Sequence, residues 1–252
     1  QNFNTTMKVV FSIFILMLVI SSCKKAEERS CFKGTGTLDS LDVQVEPFFE
    51  LNLGQRLNYS LVKDTINFIR IKGGRNLLRS VHAQVDQGVL FIENQNRCNF
   101  LRNMGEIIDV EIHFTTLNRI EGRISHNLIS QDTITGDFFN LKISGASGNA
   151  KLLVNTTFLN GFANDGNSDY IINGKTEIAH IQAHSNGLAD VRGLIVQEIL
   201  EITSRSNRAV YCLADGIPLV VNLEATGNVY YMGEPTSIQL NKTGSGNLVK
   251  LD

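Results

Sequence analysis

The chain has few of the residues that interrupt or divide a fold. It contains three prolines in 252 residues, and no linker rich in Gly, Ser or Pro separates one part from another. We therefore expect one domain of roughly 200 residues after an N-terminal leader. Acidic and basic residues are also nearly balanced, since the net charge is −2 at pH 7. That balance argues against a nucleic-acid-binding protein, which needs a basic face.

The usual catalytic motifs are missing as well. The sequence has no Gly-x-Ser-x-Gly elbow, no phosphate-binding Walker loop and no Cys-x-x-Cys pair. His180 and His184 are four residues apart, but they lack the helical His-Glu-x-x-His context of a zinc protease. We expect a non-enzymatic protein with no metal site and no cofactor.

The one long apolar run lies near the N-terminus and is too short to cross a bilayer. It covers 12 residues from Val9 to Ile20 and is followed by Ser21, Ser22 and Cys23. This pattern is typical of a secretory signal peptide with small residues at the cleavage site. A Cys directly after those residues resembles the lipobox of bacterial lipoproteins, whose Cys carries the lipid. An uncleaved anchor, or an ordinary signal peptide with an incidental Cys, is the alternative.

The expected organisation follows from this leader. Residues 1–22 form the leader and signal peptide, 23–45 a tether and N-terminal cap, and 46–252 the folded domain. The charged stretch Lys24–Glu28 resembles the export signals of surface lipoproteins in Bacteroidota. We expect an outer-membrane lipoprotein held by lipid on Cys23, and the sequence leaves open whether it faces the cell surface or the periplasm.

The other cysteines can be interpreted because exported proteins meet oxidising conditions. Cys31 and Cys98 both lie in polar, turn-rich sequence, whereas Cys212 has the alternation of a buried strand residue. We expect a disulfide between Cys31 and Cys98. Cys212 is expected to remain a buried free thiol that packs as a small apolar side chain.

The C-terminal half repeats one short phrase six times: a polar turn with Gly or Asn, then an alternating strand. With Gly148, Gly166, Gly187, Arg208, Gly227 and Gly246 as anchors, the steps are 18, 21, 21, 19 and 19 residues. Strands repeated at this period, with no helical pattern between them, are typical of a β-solenoid. The sequence therefore predicts an all-β fold, a single-stranded parallel β-helix of roughly 20-residue coils.

Alternation within each repeat separates buried from exposed positions. The residues two and four places after each anchor are mostly apolar and are expected to face inward. Those three places after the anchor are polar or aromatic, and we expect them to form one outward column of adjacent coils. This column is the candidate ligand face, with two acids beside two tyrosines: Lys151, Asp169, Asp190, Tyr211 and Tyr230. Stacked tyrosines could offer ring faces to a sugar, whereas a solvated polar stripe is the structural alternative.

Earlier in the chain, β-branched and alternating residues predict four strands. These are Phe48–Leu53, Ile66–Ile71, Val89–Ile92 and Ile108–Phe114. Asn76–Ser80 could open a short helix or turn a coil corner, and the alternation that follows it favours the corner.

Several segments together resemble a known family. They are Cys31–Gly34 with Gly36, Asn76–Leu78, Cys98–Arg102, Leu117–Ile120, and the closing Tyr230–Pro235 with Gly244–Gly246. This set is similar to the family called putative auto-transporter adhesin, head GIN domain. The resemblance implies a right-handed parallel β-helix carried by secreted lipoproteins, chiefly of Bacteroidota, with no established enzymatic activity.

Three classes of function remain open. A surface adhesin that recognises glycan or protein is favoured by the lipid anchor, the balanced charge and the missing catalytic groups. A periplasm-facing protein of envelope assembly or signalling is the second class. A carbohydrate-active enzyme, which would need clustered acids in a cleft, is the third. The membrane, through the lipid, and a glycan or protein ligand are the expected partners.

Overall fold

A computed structural model describes residues 34–96, 107–145 and 147–252 of the chain. These ranges contain 19 strands: β1 (Leu38–Gln44), β2 (Glu50–Leu53), β3 (Leu57–Lys63), β4 (Phe68–Gly74), β5 (Val81–Asp86), β6 (Val89–Asn94), β7 (Ile108–Phe114), β8 (Arg119–Gly122), β9 (Asn127–Ser130), β10 (Ile134–Ile143), β11 (Asn149–Ala163), β12 (Asp169–Ser185), β13 (Ala189–Val191), β14 (Leu194–Ser206), β15 (Val210–Leu213), β16 (Pro218–Leu223), β17 (Val229–Met232), β18 (Ser237–Lys242) and β19 (Leu248–Lys250). They include one α-helix, α1 (Arg75–Leu78). The predicted strands before the repeats are present as β2, β4, β6 and β7.

The strands form a β-solenoid of about seven turns, which confirms the predicted fold class. Two faces run the length of the solenoid, each made of parallel strands. Face A has the strand order β6, β2, β8, β10, β11, β12, β14, β16 and β18. Face B has the order β7, β3, β9, β11, β12, β13, β15, β17 and β19. The long strands β11 and β12 bend from face B to face A and so contribute to both.

The order of coils along the axis differs from their order in the chain. The coil of β2 and β3 lies between the coil of β6 and β7 and that of β8 and β9. Antiparallel strands extend this end further, because β1 pairs with β4, β4 with β7, and β5 with β6. Helix α1 also packs here, with Leu77 and Leu78 buried.

A helix at this position corrects the corner that was expected over Asn76–Ser80. Four residues from Arg75 to Leu78 form one helical turn, and the residue after them, Arg79, also has helical backbone angles. The physical reason is that Leu77 and Leu78 are adjacent in the chain, and a helical turn lets both reach the core, where they are 5% and 4% exposed. Alternation resumes at Val81 as predicted, in β5.

The inward parity predicted for the repeats is confirmed. Its residues as far as Val229 are at most 1% exposed; they are Ala150, Leu152, Ser168, Tyr170, Ala189, Val191, Val210, Cys212 and Val229. Cys212 is a free buried thiol, as expected, and burial raises its pKa to about 12. In the last two coils Tyr231 and Leu248 are only partly buried and Lys250 is exposed. Cys23, Cys31 and Cys98 lie outside the described residues.

Four of the five repeat glycines are required for close approach rather than for a left-handed backbone, which among them only Gly166 adopts, with φ 79°. None of Gly148, Gly187, Gly227 and Gly246 is among the residues with positive φ. A Cβ atom added to Gly227 would lie 2.0 Å from the carbonyl oxygen of Arg208, and one added to Gly246 would lie 2.2 Å from that of Gly227. Successive turns therefore stack backbone on backbone, which is a second use of glycine.

Candidate functional site

The tyrosines of the predicted column stand on face B. Hydrogen-bonded register places Asp190 beside Tyr211, Tyr211 beside Tyr230 and Tyr230 beside Val249. On the other side, Asp190 lies beside Ile171, and Ile171 lies beside Lys151. Four of the five predicted positions therefore share one outward column, with Ile171 between Lys151 and Asp190.

Asp169 was the wrong residue for this column. It pairs with Asn149 of the neighbouring coil, two residues away from the position of Ile171. The cause is the anchor of the second repeat, because the residue in register with Gly148 and Gly187 is Ser168, not Gly166. An error of two residues keeps side-chain parity, which is why Ser168 and Tyr170 still face inward as expected.

The two acids consequently do not face each other across adjacent coils. Asp169 accepts a hydrogen bond of 2.6 Å from Nη1 of Arg208 and one of 3.1 Å from the backbone N–H of Leu188. Asp190 is paired with a different arginine, Arg192. Each carboxylate thus has its own guanidinium.

Arg192 is the functional candidate that the sequence reasoning missed. Its Nε and Nη2 donate to Asp190 Oδ1 and Oδ2 over 2.9 and 2.6 Å, and its backbone N–H donates to Oδ1 over 3.1 Å. Burial would raise the pKa of the Asp190 carboxyl, but these hydrogen bonds outweigh burial and hold its pKa below the usual value. Strand alternation could not find it, since Arg192 lies in the turn that follows β13.

The guanidinium also covers an aromatic ring. Arg192 Cζ lies 4.8 Å from the ring centroid of Tyr211, a cation–π distance. Tyr211 in turn stacks on Tyr230, with centroids 5.1 Å apart and ring planes 14° apart. Asn228 donates to the hydroxyl of Tyr230 over 3.0 Å. We call Asp190, Arg192, Tyr211 and Tyr230 the tyrosine ladder.

This stacking changes what the tyrosines can bind. One face of the Tyr211 ring lies against Tyr230 and the other lies under Arg192, so both faces are occupied within the protein. A sugar ring cannot pack on Tyr211 as the sequence suggested. On Tyr211 the groups left for a partner are the ring edge and the hydroxyl, beside the outer side of the guanidinium.

The two histidines of the sequence analysis lie on face A. His180 and His184 are in β12, where Nε2 of His180 is 3.5 Å from Glu201 and each ring makes an edge contact, with Phe158 and Phe162 respectively. Burial lowers the pKa of His184. Among the described residues no group of three or more His, Cys, Asp or Glu could hold a metal ion.

Within residues 34–96, 107–145 and 147–252, no helix has both the length and the apolar character needed to cross a membrane.

Comparison with known proteins agrees with this architecture. Residues 47–235 match the family described as putative auto-transporter adhesin, head GIN domain. No curated protein matches the chain. Solved structures with a similar fold include a putative adhesin from Bacteroides fragilis, with 21% identity and a TM-score of 0.76 over 87% of this chain and 100% of that one. Another is a putative adhesin from Parabacteroides distasonis, with 18% identity and a TM-score of 0.62 over 86% and 98%.

The family match covers three quarters of the sequence and includes most of the solenoid, from the residue before Phe48 to the turn after β17. It includes every residue of the tyrosine ladder. The chain belongs to the family described as putative auto-transporter adhesin, head GIN domain.

Proposed function

We propose that this protein is a lipid-anchored adhesin of the cell envelope that binds a partner protein through the tyrosine ladder. One observation carries the proposal: Tyr211 and Tyr230 are stacked on an outer face and are held there by Arg192, which Asp190 fixes in place. The surface is ordered before any partner arrives. Binding then costs little side-chain entropy.

The residue types favour a protein partner. Tyr and Arg are enriched among the residues that dominate protein–protein binding energy. Because the faces of the Tyr211 ring are occupied, its contacts must use edges and hydroxyls, which suit hydrogen bonding to a protein surface better than the stacking of a sugar. Arg192 keeps 47% of its side chain exposed despite its pair with Asp190. It can therefore donate to a partner without leaving the carboxylate.

The anchor in this proposal is lipid on Cys23. Support comes from the apolar run that ends in two small residues before that cysteine. A Cys23→Ser variant should remain as an unprocessed precursor that takes up no radiolabelled fatty acid. If the variant were cleaved and labelled like the parent, the lipoprotein assignment would be wrong.

Cell adherence tests the binding surface. Cells producing the full-length protein should adhere to immobilised collagen or fibronectin more than cells lacking it. The double variant Tyr211→Ala, Tyr230→Ala should lose that adherence. Ile129→Ala is the matched control, because Ile129 is 37% exposed in the same column, two coils from Ile171.

Protease treatment of intact cells gives the orientation needed to interpret adherence. Surface exposure predicts that added protease degrades the protein on intact cells. If the protein were cleaved only after the outer membrane is opened, a periplasm-facing role in envelope assembly would replace adhesion. If the protein were on the surface and the double variant adhered like the parent, the tyrosine ladder would not be the binding surface.

A further inference from the structure

A cleft opens on face A near the end of the solenoid that β1, β5 and α1 close. Strands β6, β2 and β8 run side by side there, with Leu53 in register with both Ile92 and Gly122. The next residue of each strand brings Glu93, Gly54 and Arg123 into one row. Gly54 and Arg123 extend the pairing of the strands. The backbone N–H of Gly54 donates to the carbonyl of Ile92 over 2.9 Å, and that of Arg123 donates to the carbonyl of Leu53 over 3.0 Å.

Glycine in the middle of that row leaves the floor of the cleft open. A Cβ atom at Gly54 would lie 2.7 Å from the carbonyl oxygen of Ile92, so no other residue fits. The space above it is a cavity of about 540 Å³. That volume is within the range of small-ligand sites. A second cavity of about 330 Å³ adjoins it over β5 and shares Phe91 and Glu93 with it.

Phe91 stands between the two cavities with amides on both sides. It is 37% exposed on the outward side of β6, between the buried Leu90 and Ile92. Register places Gln84 on one side of it and Asn52 on the other. An amide can both donate and accept hydrogen bonds. Gln84, Phe91 and Asn52 thus combine one exposed aromatic ring with two amides. Each amide can donate a hydrogen bond to a hydroxyl or accept one from it.

The charged side chains that line the two cavities are mostly acidic. Glu93, Glu121 and Asp86 stand against Arg123, and Glu121 is already paired with Arg119 and Lys142. This excess of carboxylates disfavours an acidic ligand. Glu93 and Arg123 are separated by the single strand β2, so their strands are about 10 Å apart. Among the described residues Arg123 takes part in no ion pair, and Glu93 has only a 3.5 Å hydrogen bond from Gln95. Glu93 and Arg123 therefore do not form an ion pair with each other. A neutral ligand with many hydroxyls can use both, since hydroxyls donate to a carboxylate and accept from a guanidinium.

We propose that this cleft, lined by Asn52, Gly54, Gln84, Phe91, Glu93 and Arg123, binds a neutral oligosaccharide. A sugar ring lies with its C–H groups against Phe91 and its hydroxyls toward Asn52 and Gln84. The next sugar lies over Gly54 between Glu93 and Arg123. This inference goes beyond the proposed function, because the cleft and the tyrosine ladder stand on different faces and have different ligands.

A glycan array probed with the detergent-solubilised full-length lipoprotein tests the ligand class. Neutral oligosaccharides should bind, and sialylated or sulfated glycans should give no stronger signal. The strongest neutral glycan of the array would then be titrated by calorimetry. Phe91→Ala should weaken binding at least tenfold, and Asn52→Ala should weaken it by a smaller factor.

Two control variants distinguish loss of this site from loss of folding and from loss of the tyrosine ladder. Phe138→Ala removes another exposed phenylalanine of face A, 44% exposed, outside the cleft and should leave the affinity unchanged. Tyr230→Ala should also leave it unchanged while reducing adherence to protein. Equal affinity of Phe91→Ala and the parent, preference for acidic glycans, or no glycan binding by a folded protein would each overturn the proposal.

Discussion

Truncation of neighbouring residues in β13 tests the register of the repeats directly. Val191 is 1% exposed, and its neighbour Asp190 points outward with 16% of its side chain exposed. Val191→Ala removes two buried methyl groups, each worth about 0.8 kcal/mol of transfer free energy. The cavity left behind adds to this, so the free energy of unfolding should fall by about 2 kcal/mol.

Asp190→Ala should cost less. It removes the pair with Arg192, whose side chain is half exposed, and such pairs contribute roughly 1 kcal/mol or less. For a domain of this size each kcal/mol lowers the melting temperature by about 2–4 °C. Val191→Ala should therefore melt about 4–8 °C below the parent and Asp190→Ala about 2–4 °C or less below it.

Urea unfolding and thermal melts followed by circular dichroism would measure both variants. An Asp190→Ala protein that is less stable than Val191→Ala would refute the reasoning. It would place Asp190 inside and Val191 outside, because a shift of one residue exchanges every inward side chain of a strand for an outward one.

Other positions give further tests of packing and charge. Gly227→Ala should lower the free energy of unfolding in urea by about 1–3 kcal/mol, since its Cβ would meet the Arg208 carbonyl. Gly136→Ala should be close to neutral, because the atom nearest to its Cβ, Asn118 Oδ1, would be 3.9 Å away. Cys212 should stay unlabelled by iodoacetamide at pH 8 in the native protein and become labelled in urea, since burial raises its pKa to about 12; native labelling at this site would be contrary evidence. Hydrogen bonds from His113 and Lys72 lower the pKa of Glu111, so its contribution to stability is present above pH 4.5 and is lost as the pH falls further. Glu111→Gln should therefore make the free energy of unfolding depend less on pH below 4.5. The same pH dependence in the variant and the parent would count against this.

The sequence was sufficient for the fold because the signals of a solenoid are local. Alternation at Val191 and Val229 places both side chains inside, whatever the anchor of each repeat. The lateral register was harder, since it depends on hydrogen bonds between residues about 20 apart. A turn that contains Gly166 does not reveal that Ser168 is the stacked position.

The remaining features of the sites depend on contacts distant in the chain. Nothing near β2 indicates that its coil is inserted between two later ones, and this insertion is what sets Gly54 between Glu93 and Arg123. The closure of the Tyr211 ring faces also required the structure, because the sequence shows two tyrosines in register but not the guanidinium above them.

Hydroxyl-radical footprinting of the full-length protein, free and bound to the partner found by cell adherence, tests the central claim most directly. Binding through the tyrosine ladder predicts that oxidation of Tyr211 and Tyr230 falls in the complex while that of Phe138 on face A does not change. Unchanged oxidation of both tyrosines in a complex that still forms would contradict the claim.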